Sequence, residues 1–266
     1  MNDLVDLHNH VLPIDDGAKD HVDAIKMLKD AVESKISTVF VTPHMIPGGK
    51  YDPSVELITN AFEALKVKLK EENIPVELKL ASEFQINSEA MDAILHKKYI
   101  CYEGTDYLLV EFVRRNMHFH TINHALEELS FQGVKIVIAH PERYFDNVDE
   151  ALSTCHKWVK QGYVLQVNRT SLLKEHFPLQ RKIALKLINE NLIQLIVSDA
   201  HHAEGKRRLR LDDSYRLIQW LFGKRCAILL HKVNPKRLMN NEPLIKMQKV
   251  RVLRIHLIRW VIKYLY

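Results

Sequence analysis

Histidines and carboxylates, side chains that bind metal ions, recur in this sequence directly after short apolar runs. The first run, Leu4–Leu7, leads into His8-Asn9-His10 and then into Asp15-Asp16-Gly17. Side chains alternate with a period of two in an extended segment, so His8 and His10 are expected on one face. A His-x-His pair of this kind suits a metal ion. The start of the chain therefore predicts a metal site.

The same residue types lie at or just after the ends of five further strand-like runs. These runs and their chemical residues are Thr38–Thr42 with His44, Val76–Ala81 with Glu83, Tyr107–Phe112 with Glu111, Val134–Ala139 with His140, and Leu192–Val197 with Asp199 and His201. One histidine at a strand end is usually a capping or surface residue. Repetition over six strand ends indicates a shared site, and mixed imidazole and carboxylate donors suit two or three borderline divalent cations.

The elements that must position these residues alternate along the chain. The helix-like runs are Val22–Val32, which Asp20 opens, then Val55–Lys70, His120–Phe131, Val148–Lys160 and Leu179–Asn189, and Tyr163–Val167 is a further strand. Such alternation predicts a parallel α/β sheet whose strand ends meet at one rim. Seven strands suit a closed or nearly closed (β/α) barrel, and a doubly wound open sheet is the alternative.

The charge distribution argues against a nucleic-acid-binding protein. The chain has 266 residues and a net charge of +5, but six of its 38 lysines and arginines and none of its 33 acids lie in residues 246–266. Residues 1–245, with 32 basic and 33 acidic side chains, are thus nearly neutral. A basic surface spread over the fold is not expected, and we predict no nucleic-acid partner.

Three widely spaced cysteines fit a reducing compartment better than a disulfide scaffold. The first residues do not read as a secretory signal, and no charge-free apolar run approaches the roughly 20 residues of a membrane span. We therefore expect a cytoplasmic protein.

In type and order, the strand-end residues resemble those of the PHP (polymerase and histidinol phosphatase) superfamily. The likeness is nearer to its branch of manganese-dependent protein-tyrosine phosphatases of bacterial capsule and exopolysaccharide synthesis. It rests on the opening Asp6-x-His-x-His with Asp15-Asp16-Gly17, on Ile138-Ala-His-Pro-Glu-Arg143, on Ser198-Asp199-x-His201 and on Asn234-Pro235-Lys236. It spans residues 4–238.

The resemblance implies a fold, a metal centre and a substrate. The fold is a PHP-type distorted (β/α)7 barrel, similar to a TIM barrel. The implied metal-binding residues are His8, His10, Asp16, Glu83, Glu111, His140, Asp199 and His201. Two or three divalent ions are implied, manganese first, with iron or zinc as alternatives. The implied substrate is phosphotyrosine on the tail of a membrane-bound kinase that controls polysaccharide length and export.

The resemblance also implies catalytic residues, and three departures from the family pattern affect them. Arg143 matches an arginine that holds the substrate phosphate, and His44 matches a histidine in or near the metal site, here also a candidate general acid. Lys206 stands where some relatives have a second arginine, and lysine lacks the bidentate fork. Four residues rather than five separate His10 from Asp15, and Met45 replaces a frequent second histidine.

A cysteine nucleophile is excluded, because the residues six after the cysteines are Tyr107, Gln161 and Lys232 rather than arginine. Metal-bound water offers another route, since cations lower its pKa towards about 7. We expect an in-line attack by hydroxide, with Arg143 and Lys206 stabilising the transferred phosphoryl group.

The sequence divides into a catalytic domain, residues 1–245, and a basic apolar tail, residues 246–266. With helical spacing, this tail is an amphipathic segment, suited either to pack on the barrel or to lie on anionic lipid at the inner face of the membrane. A homo-oligomer is also allowed. Two alternatives stand beside the tyrosine phosphatase: a small-molecule phosphatase similar to histidinol-phosphatase, and a degenerate metal-binding regulatory partner.

Overall fold

The computed structural model describes residues 3–113, 119–173 and 177–247. In these ranges the chain forms nine parallel strands: β1 (Leu4–Asp6), β2 (Ile36–Val41), β3 (His44–Met45), β4 (Glu77–Leu80), β5 (Glu83–Ile86), β6 (Tyr107–Phe112), β7 (Lys135–Ile138), β8 (Val164–Asn168) and β9 (Leu195–Val197). They form two sheets, with the orders β1-β2-β4 and β3-β5-β6-β7-β8-β9.

The two sheets are connected by two bent strands. Only Thr42-Pro43 separates β2 from β3, and only Ala81-Ser82 separates β4 from β5. Pro43 has no N–H to donate, which interrupts the ladder of β2. Pairing continues across the bend, because the Ala81 and Glu83 amides donate to the carbonyls of Val41 and Pro43, at 2.9 and 3.0 Å. Counting each bent strand once gives seven strands.

The first and last strands close the ring. Asn9 and Ala200 form a parallel bridge, and the His10 amide donates to the Ala200 carbonyl at 2.8 Å. Below this bridge the buried Asp6 carboxylate accepts from the Ser198 amide and hydroxyl, at 2.8 and 2.7 Å. The prediction of a distorted seven-stranded barrel is therefore confirmed, and the open-sheet alternative is wrong.

Helices follow most strands and cover the outside of the barrel. Their bounds are α1 (His21–Glu33), α2 (Val55–Glu71), α3 (Ala90–Leu95), α4 (Phe119–Phe131), α5 (Val148–Lys160), α6 (Arg169–Leu172), α7 (Pro178–Asn189), α8 (Asp212–Phe222), α9 (Lys224–Ile228) and α10 (Asn234–Met239), with a 3-10 turn at Pro141–Arg143 and a π-helical turn at Leu229–Val233. The side chains of Asp20, Ser54 and Asn147 accept amide hydrogen bonds as N-caps of α1, α2 and α5.

Apolar side chains fill the space inside the strands and between strands and helices. Trp158, Tyr102, Phe40 and Phe84 are among the largest fully buried ones, and each such side chain contributes roughly 1.5–3 kcal/mol on burial. The strands themselves are buried on both faces, as the continuous apolar runs of a parallel sheet require.

Two predicted element boundaries were wrong near the site. Glu83 does not end the predicted strand Val76–Ala81 but opens β5, after the bend. The predicted strand Leu192–Val197 is shortened to Leu195–Val197. The predicted alternation gave no helices after this strand, whereas α8, α9 and α10 occupy this region.

The C-terminal segment is held against the barrel as far as Ile245, whose N–H and C=O pair with the Asn234 side chain.

Candidate metal centre

The turn after β1 directs two histidines into the mouth of the barrel. Asn9, between them, points away: its amide group donates to Asp6 and to the Phe40 carbonyl, at 3.0 and 2.9 Å. His8 and His10 therefore share a face, with their Nε2 atoms 3.4 Å apart. This is the arrangement that the His-x-His spacing predicts.

Three further imidazoles join this pair from other strand ends. The ring of His10 lies 4.3 Å from that of His44 and 4.0 Å from that of His201, and the ring of His8 lies 5.8 Å from that of His140. All five histidines have side chains that are largely buried. Like-charged imidazolium rings at such distances repel each other, so this cluster needs compensating negative charge.

Glu83 supplies that charge at the centre of the cluster. Its Oε1 lies 3.2 Å from His8 Nε2 and 3.0 Å from His140 Nε2. Its Oε2 lies 3.3 Å from His10 Nε2 and 3.1 Å from His44 Nδ1. A carboxylate that faces four imidazoles offers both of its oxygens as donors and would suit a cation.

The remaining carboxylates complete overlapping groups of donor atoms. Atoms within 4.8 Å of one another form four sets: His10, Asp16, His44 and His201; His8, Glu83 and His140; His8, His10 and Asp199; and His44, Glu83 and Glu111. All eight predicted metal-binding residues belong to these sets, together with His44. The residues therefore fit more than one divalent cation, and their metal-binding role stays a prediction.

Two atoms in the cluster lack the hydrogen bonds that buried polar groups normally make. His44 Nδ1 and His140 Nδ1 are buried without a hydrogen-bond partner. His44 Nδ1 faces Glu83 and Glu111 with poor hydrogen-bond geometry, although it lies 3.1 and 3.4 Å from their oxygens. Such an unpartnered nitrogen among carboxylates fits a metal ligand better than a structural hydrogen bond.

The charges of the cluster shift its proton equilibria. Burial opposes a charge on His44, but Glu83 and Asp16 raise its pKa to about 12. Burial also opposes a charge on His10, whose pKa Asp15 raises to about 9. Protons on these rings neutralise the carboxylates, and divalent ions would take the place of those protons on binding.

Two of the predicted metal-binding residues have a strained backbone. His140 and Asp199 have φ values of 32° and 49°, in the left-handed region that residues other than glycine seldom adopt. Each residue lies two positions after the end of a strand, β7 for His140 and β9 for Asp199, where the chain turns sharply. Strain of this kind concentrates at functional sites.

The shortened loop after His10 still delivers Asp16. Its Oδ1 lies 3.4 Å from His44 Nε2 and 3.4 Å from His201 Nε2. Gly17 makes the tight turn feasible, because a Cβ at this position would lie 1.9 Å from the His10 carbonyl oxygen. The departure from the family spacing thus leaves Asp16 within its donor set.

Asp15 contacts two histidines of the cluster, and sequence reasoning did not select it. Its Oδ2 accepts from His10 Nδ1 at 2.7 Å and from the His44 amide at 3.0 Å. Its Oδ1 accepts from the Gly17 amide at 3.0 Å. A carboxylate on the second nitrogen of a ligand histidine fixes the tautomer and the ring orientation. The only sequence signal was its place beside Asp16.

Two arginines meet above the cluster, and one of them was not predicted. Arg143 Nη1 and Arg207 Nη2 donate to opposite oxygens of Asp199, at 2.8 and 2.9 Å. Both line a cavity of about 380 Å³ together with the ligands. Lys206, predicted as the second cation, is exposed and is not among the residues that line this cavity. The next residue along the loop, Arg207, is the one whose side chain enters the cavity.

The three cysteines lie outside the cluster. Cys155 and Cys226 are buried and Cys101 is partly buried, and burial raises the pKa of the Cys101 thiol to about 11. None of these thiols is activated as a nucleophile.

The predicted tail, residues 246–266, lies outside the described residues from 248 onward.

Comparison with known proteins places this centre in a family. The profile of the family described as "Capsular polysaccharide synthesis, CpsB/CapC" matches residues 4–240. The chain belongs to this family. This match covers every residue of the candidate site.

Members of the CpsB/CapC family resemble the chain over most of their length. Tyrosine-protein phosphatase YwqE of Bacillus subtilis is 28% identical over 244 residues, which cover 91% of this chain and 94% of YwqE. CapC of Staphylococcus aureus is 31% identical over 199 residues, which cover 74% of this chain and 77% of CapC.

A solved structure reported for YwqE of Bacillus subtilis and CpsB of Streptococcus pneumoniae, which are described as metal-dependent tyrosine phosphatases, has the same fold. It superposes with a TM-score of 0.81 at 27% identity, over 94% of this chain and 99% of that one.

Proposed function

We propose that this member of the CpsB/CapC family is a metal-dependent protein-tyrosine phosphatase. The observation that carries the proposal is the meeting of two arginines, Arg143 and Arg207, above the cluster of imidazoles and carboxylates. Guanidinium groups bind phosphate oxygens in a bidentate manner, and the cluster holds donors for divalent ions. Relatives that are named tyrosine phosphatases support the choice of substrate.

Some residues of the chain would bind the metals, and others bind the phosphoryl group. When bound, the metals supply a hydroxide at neutral pH and neutralise phosphoryl oxygens. The residues that would hold them are His8, His10, Asp16, Glu83, Glu111, His140, Asp199 and His201, together with His44. Arg143 and Arg207 bind the phosphoryl oxygens and stabilise the charge that develops on them. In this scheme Arg207 takes the role first assigned to Lys206.

His44 is proposed as a ligand rather than as a free general acid. Its two nitrogens face carboxylates on both sides, Asp16 with Nε2 and Glu83 with Nδ1. A ring committed in this way is poorly placed to carry a proton to the leaving group. A tyrosine phenolate, with a pKa of about 10, needs less protonation than an alkoxide.

The metals are proposed as two or three manganese ions, with iron or zinc as the alternatives to test. Imidazole and carboxylate donors accept each of these ions, so selection depends on availability and geometry. The donor set alone does not discriminate between them.

The proposed substrate protein is a kinase tail that carries phosphotyrosine at the cytoplasmic face of the membrane. Within the described parts of the chain, no helix combines the length and apolar character needed to cross a bilayer. The basic segment 246–266 is proposed to bind anionic lipid near such a kinase. Vesicles of anionic lipid should sediment the full chain but not a variant that lacks 246–266.

The decisive experiment compares substrates and metals. Chelated enzyme, resupplied with manganese, iron or zinc, is assayed on a phosphotyrosine peptide, a phosphoserine peptide and histidinol phosphate. We expect metal-dependent hydrolysis with preference for phosphotyrosine. Preference for histidinol phosphate would establish the small-molecule alternative, and metal binding without turnover would establish a regulatory partner.

Arginine variants test the phosphate-binding role. Arg143→Ala and Arg207→Ala should each lower kcat/KM by about 10²- to 10³-fold, the range for removal of one group that stabilises transition-state charge. Lys206→Ala is the matched control and should retain activity close to that of the wild type. Equal losses in Lys206→Ala and Arg207→Ala would contradict the assignment of Arg207.

A further inference from the structure

The loop that carries Arg207 into the cavity has an exposed tip. This loop joins β9 to α8, and Glu204, Gly205 and Lys206 at its tip are exposed. The nearest apolar anchor on the other side is Leu209, which is fully buried. Arg207 stands between the two. An arginine side chain has large rotamer freedom, so a fixed position requires a fixed backbone.

A buried guanidinium holds the backbone just before Arg207. Arg169, the first residue of α6, is only 4% exposed, and its Nη1 donates to the Lys206 carbonyl at 2.9 Å. Its Nε and Nη2 donate to both oxygens of Asp213 in α8, at 2.8 and 2.6 Å. One planar group therefore ties the loop to the end of β8 and to the start of α8.

A buried carboxylate holds the chain just after Arg207. Asp30 of α1 is also only 4% exposed, and it accepts a bidentate pair from Arg208 at 2.8 and 2.7 Å. Arg210 Nη1 adds a third contact at 3.3 Å. Asp30 and Arg169 belong to different parts of the barrel wall, so the loop is held from two sides.

We propose that Arg169 and Asp30 are positioning residues that set the place of the Arg207 guanidinium in the active site. The inference rests on the proposed function, since it concerns the binding of the phosphoryl group. Neither side chain is among those that line the cavity, so both act through the two residues that flank Arg207. A displacement of about 1 Å in such a group lowers activity by about 10²-fold.

A double-mutant cycle tests this route. Arg169→Gln alone should lower kcat/KM by about ten- to a hundredfold and raise the dissociation constant of inorganic phosphate by a similar factor, with unchanged metal content. In the Arg207→Ala background, Arg169→Gln should change both values less than about twofold, because coupled residues are not additive. Arg169→Lys should restore part of the loss.

Two further variants guard the interpretation. Arg237→Gln is the matched control, since Arg237 of α10 pairs with Glu242 at 2.9 Å and contacts neither Asp30 nor the loop. It should behave as the wild type. If Arg169→Gln does not fold, Arg208→Gln loosens the other side and leaves Arg210 on Asp30; its effect should likewise vanish in the Arg207→Ala background.

The proposal is overturned if the Arg169 and Arg207 effects multiply, or if Arg169→Gln and Arg208→Gln bind phosphate as tightly as the wild type. Phosphate binding by calorimetry requires no turnover. A wild type that binds phosphate but does not hydrolyse phosphotyrosine would therefore refute the proposed function and leave the loop proposal to be judged on its own.

Discussion

Two regions of this barrel bury histidine, and they do so in opposite ways. His231, in the π-helical turn before α10, is fully buried and has a partner for each nitrogen. Ser214 Oγ lies 3.1 Å from its Nε2, and the Ala227 carbonyl lies 3.1 Å from its Nδ1. At the strand ends, by contrast, His10 lies within about 4 Å of two other imidazole rings, and His44 Nδ1 has no hydrogen-bond partner.

The difference separates a histidine with its own hydrogen-bond partners from histidines that share a cluster. Burial lowers the pKa of His231 to about 4, so this ring is neutral and serves as a polar filler of the core. At the strand ends, carboxylates hold charge on His10 and His44, which burial alone would neutralise. Burial still lowers the pKa of His140 and of His201, the latter to about 4. Clustering of imidazoles with carboxylates, rather than burial, is what marks a site for cations.

Glu83→Gln should break the strand-end cluster most severely. The substitution removes the charge that faces four imidazoles, so the proposed metal centre would lose its central carboxylate donor. We expect kcat/KM on a phosphotyrosine peptide to fall by about 10³-fold, equivalent to ~4 kcal/mol in the barrier, with lower metal content by mass spectrometry. His231→Gln is the control and should keep both values. Full metal content and activity in Glu83→Gln would refute the central role of this carboxylate.

Asp15→Asn should weaken the cluster without abolishing it. Asp15 orients His10 from outside the donor sets, and loss of such a partner typically lowers metal affinity by about 10- to 100-fold. Reactivation of chelated enzyme should therefore need that much more metal, while activity at saturating metal largely returns. Asp23→Asn, on the exposed start of α1, is the matched control. An unchanged metal requirement would show that Asp15 only holds the loop.

Much of the proposed metal cluster was predictable, because its residues follow from their spacing along single strands and from their places at strand ends. His8 and His10 follow from the alternation of an extended segment, and His140 and Asp199 follow from strand ends that a parallel barrel must bring together. The start of α1 followed from the capping side chain of Asp20. None of these requires knowledge of distant contacts.

The parts that escaped prediction depend on tertiary contacts. Four basic residues stand at 206, 207, 208 and 210, and no local pattern says which one enters the cavity; Arg169 and Asp30, distant in sequence, decide it. The bend after β4 that makes Glu83 the start of a strand depends on pairing with Pro43 of a neighbouring strand. Asp15 and Asp16 differ only in which way the turn at Gly17 directs each side chain.

The smallest expected effect is on the pH dependence of stability and comes from the buried His231. Because the pKa of His231 is about 4 in the folded protein and about 6.5 when unfolded, the unfolded chain takes up a proton first as the pH falls. The contribution of His231 to the free energy of unfolding is therefore fully present above about pH 6.5 and is lost as the pH falls towards 4. Between pH 7 and pH 5 the loss should be about 2 kcal/mol. Urea unfolding of metal-free wild type and His231→Gln at both pH values measures it, because glutamine removes the titration and any other group cancels in the difference. If the free energy of unfolding depends on pH equally in the two proteins, folding does not lower the pKa of His231. The contrast with the strand-end histidines would then disappear.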